Sequence, residues 1–212
     1  PEKVAAMRGL GAEVIFHGED FDEAREYIKQ VAEEEFCRLV GPTYDLLIHG
    51  VGTYALEIME DLPTVDTIIV PVGAGSGVCG TGIVAKAINP EVDIIAVQSA
   101  QAPAMQISWE KGALVEAEMK TFAEGLATRV PFENTQRIMR EYVDQFLLVD
   151  DEQIKLAVGT MMEHTHNLVE EAGAAPLAAA LQMKGQLQGK KVVLVASGGN
   201  ISKENLKKAL NL

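Results

Sequence analysis

The chain has 212 residues, 48% hydrophobic and 23% charged, with a mean hydropathy of +0.09, the ordinary composition of a globular protein of one or two domains. A formal net charge of −13 argues against nucleic acid as a partner, because phosphate backbones require clustered Lys and Arg. No apolar run reaches the length of a membrane span and no signal-peptide pattern opens the chain, while Cys37 and Cys79 make no disulfide framework, so a reducing, cytoplasmic compartment is expected.

In chain order, residues 3–10 predict the end of a helix closed by Gly11, and AEVIFHG (12–18) a short strand. The stretch 21–35 carries apolar residues at 21, 24, 27, 28 and 31, the stripe of an amphipathic helix. Pro42 to Asp45 reads as loop and 52–63 as a helix stopped by Pro63. A shift in composition between His49 and Thr53 makes this stretch the best candidate for a domain boundary. TIIVPVG (67–73) is apolar on both faces, the pattern of a buried parallel strand, and DIIAVQS (93–99) is a second. Between them 82–90 predicts a helix closed by Asn89-Pro90. A helix over 102–112 and a loop-rich stretch over 113–132 follow, then a helix over 134–143 and a short strand over 145–149. The helix expected over 150–169 starts at Asp150, which can cap it, with Gln153 three residues on. Residues 172–183 predict a small-residue helix, 190–200 a strand running into a glycine turn, and 203–210 a short helix. Strands alternating with helices define an α/β protein with an open, mostly parallel sheet covered by helices.

The chemistry concentrates in IIVPVGAGSGVCGTG (68–82), where a buried strand runs into five glycines and a helix start. Glycine costs backbone entropy, so the cluster needs a reason. Backbone N–H groups and a helix dipole at such a turn favour an anion. A P-loop would end in Lys followed by Ser or Thr, which GAGSGVCG lacks. Gly75, Gly77 and Gly80 fit G-x-G-x-x-G, but a dinucleotide site also wants an acid at the end of the next strand, where Gln98 stands. A methyltransferase loop fails on the same residue. A phosphate without such a ribose remains. A second turn, ASGGN (196–200), offers the Ser197 hydroxyl at another strand end, and both turns are expected to face one crevice. His164 and His166 lack metal-ligand spacing, Cys79 reads as a small packing residue, and Trp109, Met161 and Met162 read as core or interface.

KVAAMRGLGAEVIFHG, GVGTYALEI, VDTIIVPVGAGSG, APAM, FAEGLATR, VEEAGAAPLAA and VVLVASGGN together resemble, in order and spacing, the later part of the pyridoxal-phosphate enzymes of fold type II, in the threonine/serine dehydratase branch. The resemblance implies a tryptophan-synthase-β-like fold, incomplete in this chain, with 1–48 a remnant of the smaller domain and 49–212 most of the larger. It implies pyridoxal 5'-phosphate as cofactor, its phosphate held by Gly73, Ala74, Gly75, Ser76 and Gly77 and its ring nitrogen by Ser197. Gly125 is similar to a glycine beside the ring, and Glu170 to a glutamate in its surroundings.

Three departures stand out. The family's Schiff-base lysine stretch and its Ser-Gly-Asn-His loop have no counterpart here. No catalytic residue is therefore assigned in this chain, and the chain by itself is expected to lack dehydratase activity. Gln98, with Ala102 and Ala104 after it, replaces a glutamate that branch members use for a cation, so no metal is expected there. Gly50-Val51-Gly52-Thr53 and the GAGSG loop differ from the family's usual wording, which leaves the substrate open. The implied activity is elimination on threonine or serine, giving a 2-oxo acid and ammonia, in a homo-oligomer taking a small amino acid. The alternatives are a related lyase or racemase on another amino acid, or a non-catalytic module that binds a phosphate ligand.

Overall fold

The computed structural model describes residues 2–211, and the chain divides into two compact units, one up to Gly41 and one from Pro42. The first unit holds α1 (Glu2–Gly9) and α2 (Phe21–Glu34). Gly11 takes a left-handed φ of 87° after α1, and Asp20 caps α2 by accepting from Glu23 N. The strand expected over 12–18 does not form. A strand needs a ladder partner, and this unit contains no other strand among the described residues, so Ile15 and Phe16 lie exposed.

The second unit contains a four-stranded sheet in the order β3-β2-β1-β4: β1 (Thr67–Pro71), β2 (Asp93–Ser99), β3 (Gln145–Val149) and β4 (Val192–Leu194). Every pairing is parallel, with Thr67 opposite both Asp93 and Val192, and Ile95 opposite Gln145. Residues of alternate parity on β1 and β2 enter two separate cores. Ile68, Val70, Ile94 and Ala96 pack with α3 (Asp45–Asp61), α4 (Ser76–Ile88), α5 (Ala104–Lys111) and α6 (Glu133–Tyr142). Ile69, Ile95 and Val97 pack with α7 (Asp151–Thr165), α8 (Glu171–Gln182) and α9 (Lys203–Leu210). Both faces are covered, which is why these strands read as continuous apolar runs.

The Asp150–Gln153 capping box opens α7, with Gln153 N donating to Asp150 Oδ1 and Asp150 N to Gln153 Oε1. The helix stops at Thr165, short of the expected end, because His166 turns left-handed at φ 58°. Alanines 174, 175 and 179 of α8 are fully buried, so the small-residue helix sits close on its neighbours. β4 is a short edge strand rather than the longer one expected.

α3 starts at Asp45, well before the expected position 52, and the expected boundary at 48/49 falls inside it. Gly50 and Gly52 look like a linker, and helical glycine costs about 1 kcal/mol against alanine. Here Gly52 faces Gly80 of α4, and a Cβ on Gly80 would come within 2.8 Å of Gly52 N. The two glycines let α3 and α4 touch backbone to backbone. Gly80, the last glycine of the apparent dinucleotide pattern, is therefore spent on a helix crossing.

Candidate anion and cofactor site

The chain runs from β1 through β2 to β3, then returns across the sheet to place β4 on the other side of β1. In open parallel sheets ligands sit at such a switch point, beyond the carboxyl ends of the strands. A cavity of about 750 Å³ lies there, and Gly73, Ala74, Gly75, Ser76, Gly77, Gly125 and Ser197 all line it. The two glycine turns and the Gly125 turn are thus brought together.

Gly75 is the N-cap of α4, in a left-handed conformation at φ 98°, with no side chain capping the helix. From Gly73 to Val78, no N–H group finds a protein acceptor among the described residues. Free N–H groups and the positive end of a helix make an anion seat. No charged side chain lines the cavity among the described residues, lysines included, so the backbone alone supplies the positive potential. The lysines lie elsewhere, for example Lys86 paired with Asp144 at 2.8 Å and Lys190 with Asp93 at 2.9 Å.

Close backbone layers shape the floor. A Cβ on Gly73 would collide with the carbonyl oxygen of Gly125, and one on Gly125 would come within 2.7 Å of Ala172 Cβ. The Gly125 turn, a 3₁₀ turn over Glu124–Leu126, is held by Asp151 at the start of α7. That carboxylate accepts from Thr121 Oγ1 (2.7 Å), Phe122 N (3.0 Å) and Ser99 Oγ (2.9 Å), tying the turn to the end of β2. Glu170, the N-cap of α8, holds the second glycine turn: its N–H donates to Gly198 O (2.9 Å) and its Oε2 accepts from Asn200 N (3.1 Å). Ser197 is exposed at the rim.

Three residues not singled out in the sequence also shape the seat. Thr135 Oγ1 donates to Ala74 O (2.7 Å), Tyr54 Oη donates to Gly77 O (3.0 Å), and Asp151 acts as described. Thr135 and Tyr54 sit in ordinary helical patterns far from the loop in sequence, so only their fold contacts reveal them. Burial raises the Tyr54 phenol above its ordinary pKa. Burial also pushes the Cys79 thiol up to about 12, which makes it a packing residue with Sγ against Thr135 O. Gln98 is fully buried, its Oε1 accepting from Gln106 N (3.2 Å), so it is out of reach of a ribose. Among the described residues no group of three or more His, Cys, Asp or Glu side chains is placed to hold a metal.

An uncapped helix N-terminus beside a serine turn, at the switch point of a parallel sheet, is an arrangement of an α/β protein that favours an anionic ligand. The family model described as pyridoxal-phosphate dependent enzyme matches residues 1–198, and the chain belongs to that family. It is 42% identical over 203 residues to an L-threonine ammonia-lyase of Geobacter sulfurreducens, covering 95% of this chain and 50% of that protein. The processed form of threonine deaminase isoform 2 from Solanum lycopersicum superposes with a TM-score of 0.92 at 30% identity, over all of this chain and 60% of that one. Maize serine racemase gives 0.89 at 32%, over all of this chain and 67% of that one. The chain therefore spans about half the length of the ammonia-lyase it matches. No helix is long and apolar enough to cross a membrane among the described residues.

Proposed function

We propose that the protein to which this chain contributes is a pyridoxal-phosphate-dependent ammonia-lyase acting on threonine or serine, releasing ammonia and a 2-oxo acid. One observation carries the reading: residues 73–77, whose N–H groups are unbonded, and Ser197 line the same uncharged cavity. The residues present fit the cofactor. Gly75 has the positive φ and Gly73 the lack of a Cβ that a close-fitting phosphate seat requires. Gly73, Ala74, Gly75, Ser76 and Gly77 would hold the phosphate, and Ser197 would bond the ring nitrogen. When bound, the cofactor supplies an electron-withdrawing ring that accepts charge as the substrate's Cα–H bond breaks. A hydroxyl at the ring nitrogen is neutral and leaves that nitrogen largely unprotonated.

No lysine lines the cavity among the described residues, so this chain supplies binding and orientation but no group to move the Cα proton. Alone, it is expected to show no turnover. A homo-oligomer in a reducing compartment belongs to the same reading, supported by two free cysteines and by Leu46 and Leu56 exposed on α3. The fold likeness to a serine racemase favours racemisation as the second reading. A non-catalytic phosphate-binding module is the third, favoured by the lysine-free cavity. The product of the complete reading frame, offered L-threonine, L-serine, D-serine and a 2,3-diamino acid, separates them. Ammonia and a 2-oxo acid from threonine or L-serine support the proposal. Interconversion of serine enantiomers without ammonia supports the racemase, and no reaction with any substrate supports the module.

A further inference from the structure

Peptide units bind an anion only where their N–H groups converge and their carbonyl oxygens turn away. The Ala74 carbonyl accepts a 2.7 Å bond from Thr135 Oγ1, a side chain with no exposed surface. A trans peptide unit directs its C=O and N–H oppositely, so this grip turns Gly75 N–H away from α6. The same side chain bounds the loop sterically: a Cβ on Gly75 would lie 2.9 Å from Thr135 Cβ and 3.0 Å from its Oγ1. The Thr135 carbonyl in turn accepts from Cys79 Sγ at 3.5 Å, in the first turn of α4. The flanking residues pin Thr135 in place. Asn134 Nδ2 donates to Thr43 O (3.0 Å) and Asp45 Oδ1 (2.8 Å) at the start of α3, and Gln136 Nε2 donates to Met105 O (2.8 Å) on α5.

We propose that Thr135 is a positioning residue of the phosphate seat, its hydroxyl holding the Ala74 carbonyl so that the N–H groups of Gly75, Ser76 and Gly77 face a bound phosphate. This rests on the reading of 73–77 as that seat. Thr135 touches neither cofactor nor substrate and acts through the loop. Core packing alone does not need the hydroxyl, since valine fills the same space.

The test is calorimetric titration of the 212-residue chain, in phosphate-free buffer, with pyridoxal phosphate, inorganic phosphate and pyridoxal. Loss of one buried hydrogen bond predicts that Thr135→Val binds pyridoxal phosphate and inorganic phosphate about tenfold more weakly, with pyridoxal unchanged and Thr135→Ser within about twofold of wild type. Should Thr135→Val lose its native near-ultraviolet circular dichroism, Thr135→Ala against Thr135→Ser makes the same comparison, since the two differ only in the hydroxyl. Equal binding of both phosphate ligands with and without the hydroxyl overturns the role of Thr135 while leaving the seat intact. Equal weakening of pyridoxal and pyridoxal phosphate also overturns it, by indicating general damage. Wild type that binds neither phosphate ligand overturns the seat and this proposal together.

Discussion

Substituting alanine for Gly80 tests how α4 is held beneath the cavity. The new Cβ would lie 2.7 Å from Ile48 O, 2.8 Å from Gly52 N and 3.1 Å from Gly52 Cα, all backbone atoms of α3. No rotamer change relieves such contacts, so α3 must shift. Overpacking of this kind costs about 1–3 kcal/mol, and three backbone contacts place it near the top of that range. Alanine's better helix propensity returns about 1 kcal/mol, leaving a net loss of about 2 kcal/mol. Gly159 of α7 is the control, because a Cβ there meets only Leu210 Cδ2 at an ordinary 3.6 Å. Gly159→Ala should then stabilise by about 0.5–1 kcal/mol. Urea unfolding followed by far-ultraviolet circular dichroism reads both. Since α3 carries Tyr54, whose hydroxyl bonds Gly77 O, Gly80→Ala should also weaken phosphate binding. A Gly80→Ala midpoint at or above wild type, or a larger loss from Gly159→Ala, would refute the helix-crossing account.

Ser197→Ala should weaken pyridoxal phosphate by about tenfold while sparing inorganic phosphate, since the hydroxyl is assigned to the ring; equal weakening of both in calorimetry would contradict that assignment. Glu171 at the start of α8 is 5% exposed with Oε1 unbonded, and burial chiefly raises its carboxyl above the ordinary 4.5, aided by the charges of Glu124 and Glu170. The folded chain therefore holds this proton more tightly than the unfolded one, and the associated stability, full below about pH 4.5, is lost as pH rises through the raised value. Glu171→Gln should gain stability relative to wild type over that rise, and a pH-independent difference in unfolding midpoints would count against it. A thiol reagent should label exposed Cys37 in the native chain and buried Cys79 only after unfolding; labelling of both at one rate would show that Cys79 is accessible.

β1 and β2 were legible because burial on both faces writes itself as a continuous apolar run, and β2 and β3 fall on the expected spans 93–99 and 145–149. The capping box at Asp150 was legible because it is local. The start of α3 was not, because Gly50 and Gly52 carry turn propensity and their compensation lies on α4. The strand at 12–18 misled for the opposite reason: its pattern is local, but a ladder depends on a partner. At the site, the glycines and Ser197 stood out by type. Thr135 and Asp151 did not, because their work is to bond a carbonyl or a turn remote in sequence.

The most direct measurement of the central claim is a ¹H–¹⁵N amide spectrum of the 212-residue chain titrated with pyridoxal phosphate. The account predicts that the largest shifts fall on the amides of Gly73 to Gly77, with Ser197 also moving and the α7–α9 surface still. Saturable shifts confined to other parts of the chain, or none at ligand concentrations that saturate ordinary cofactor sites, would contradict it.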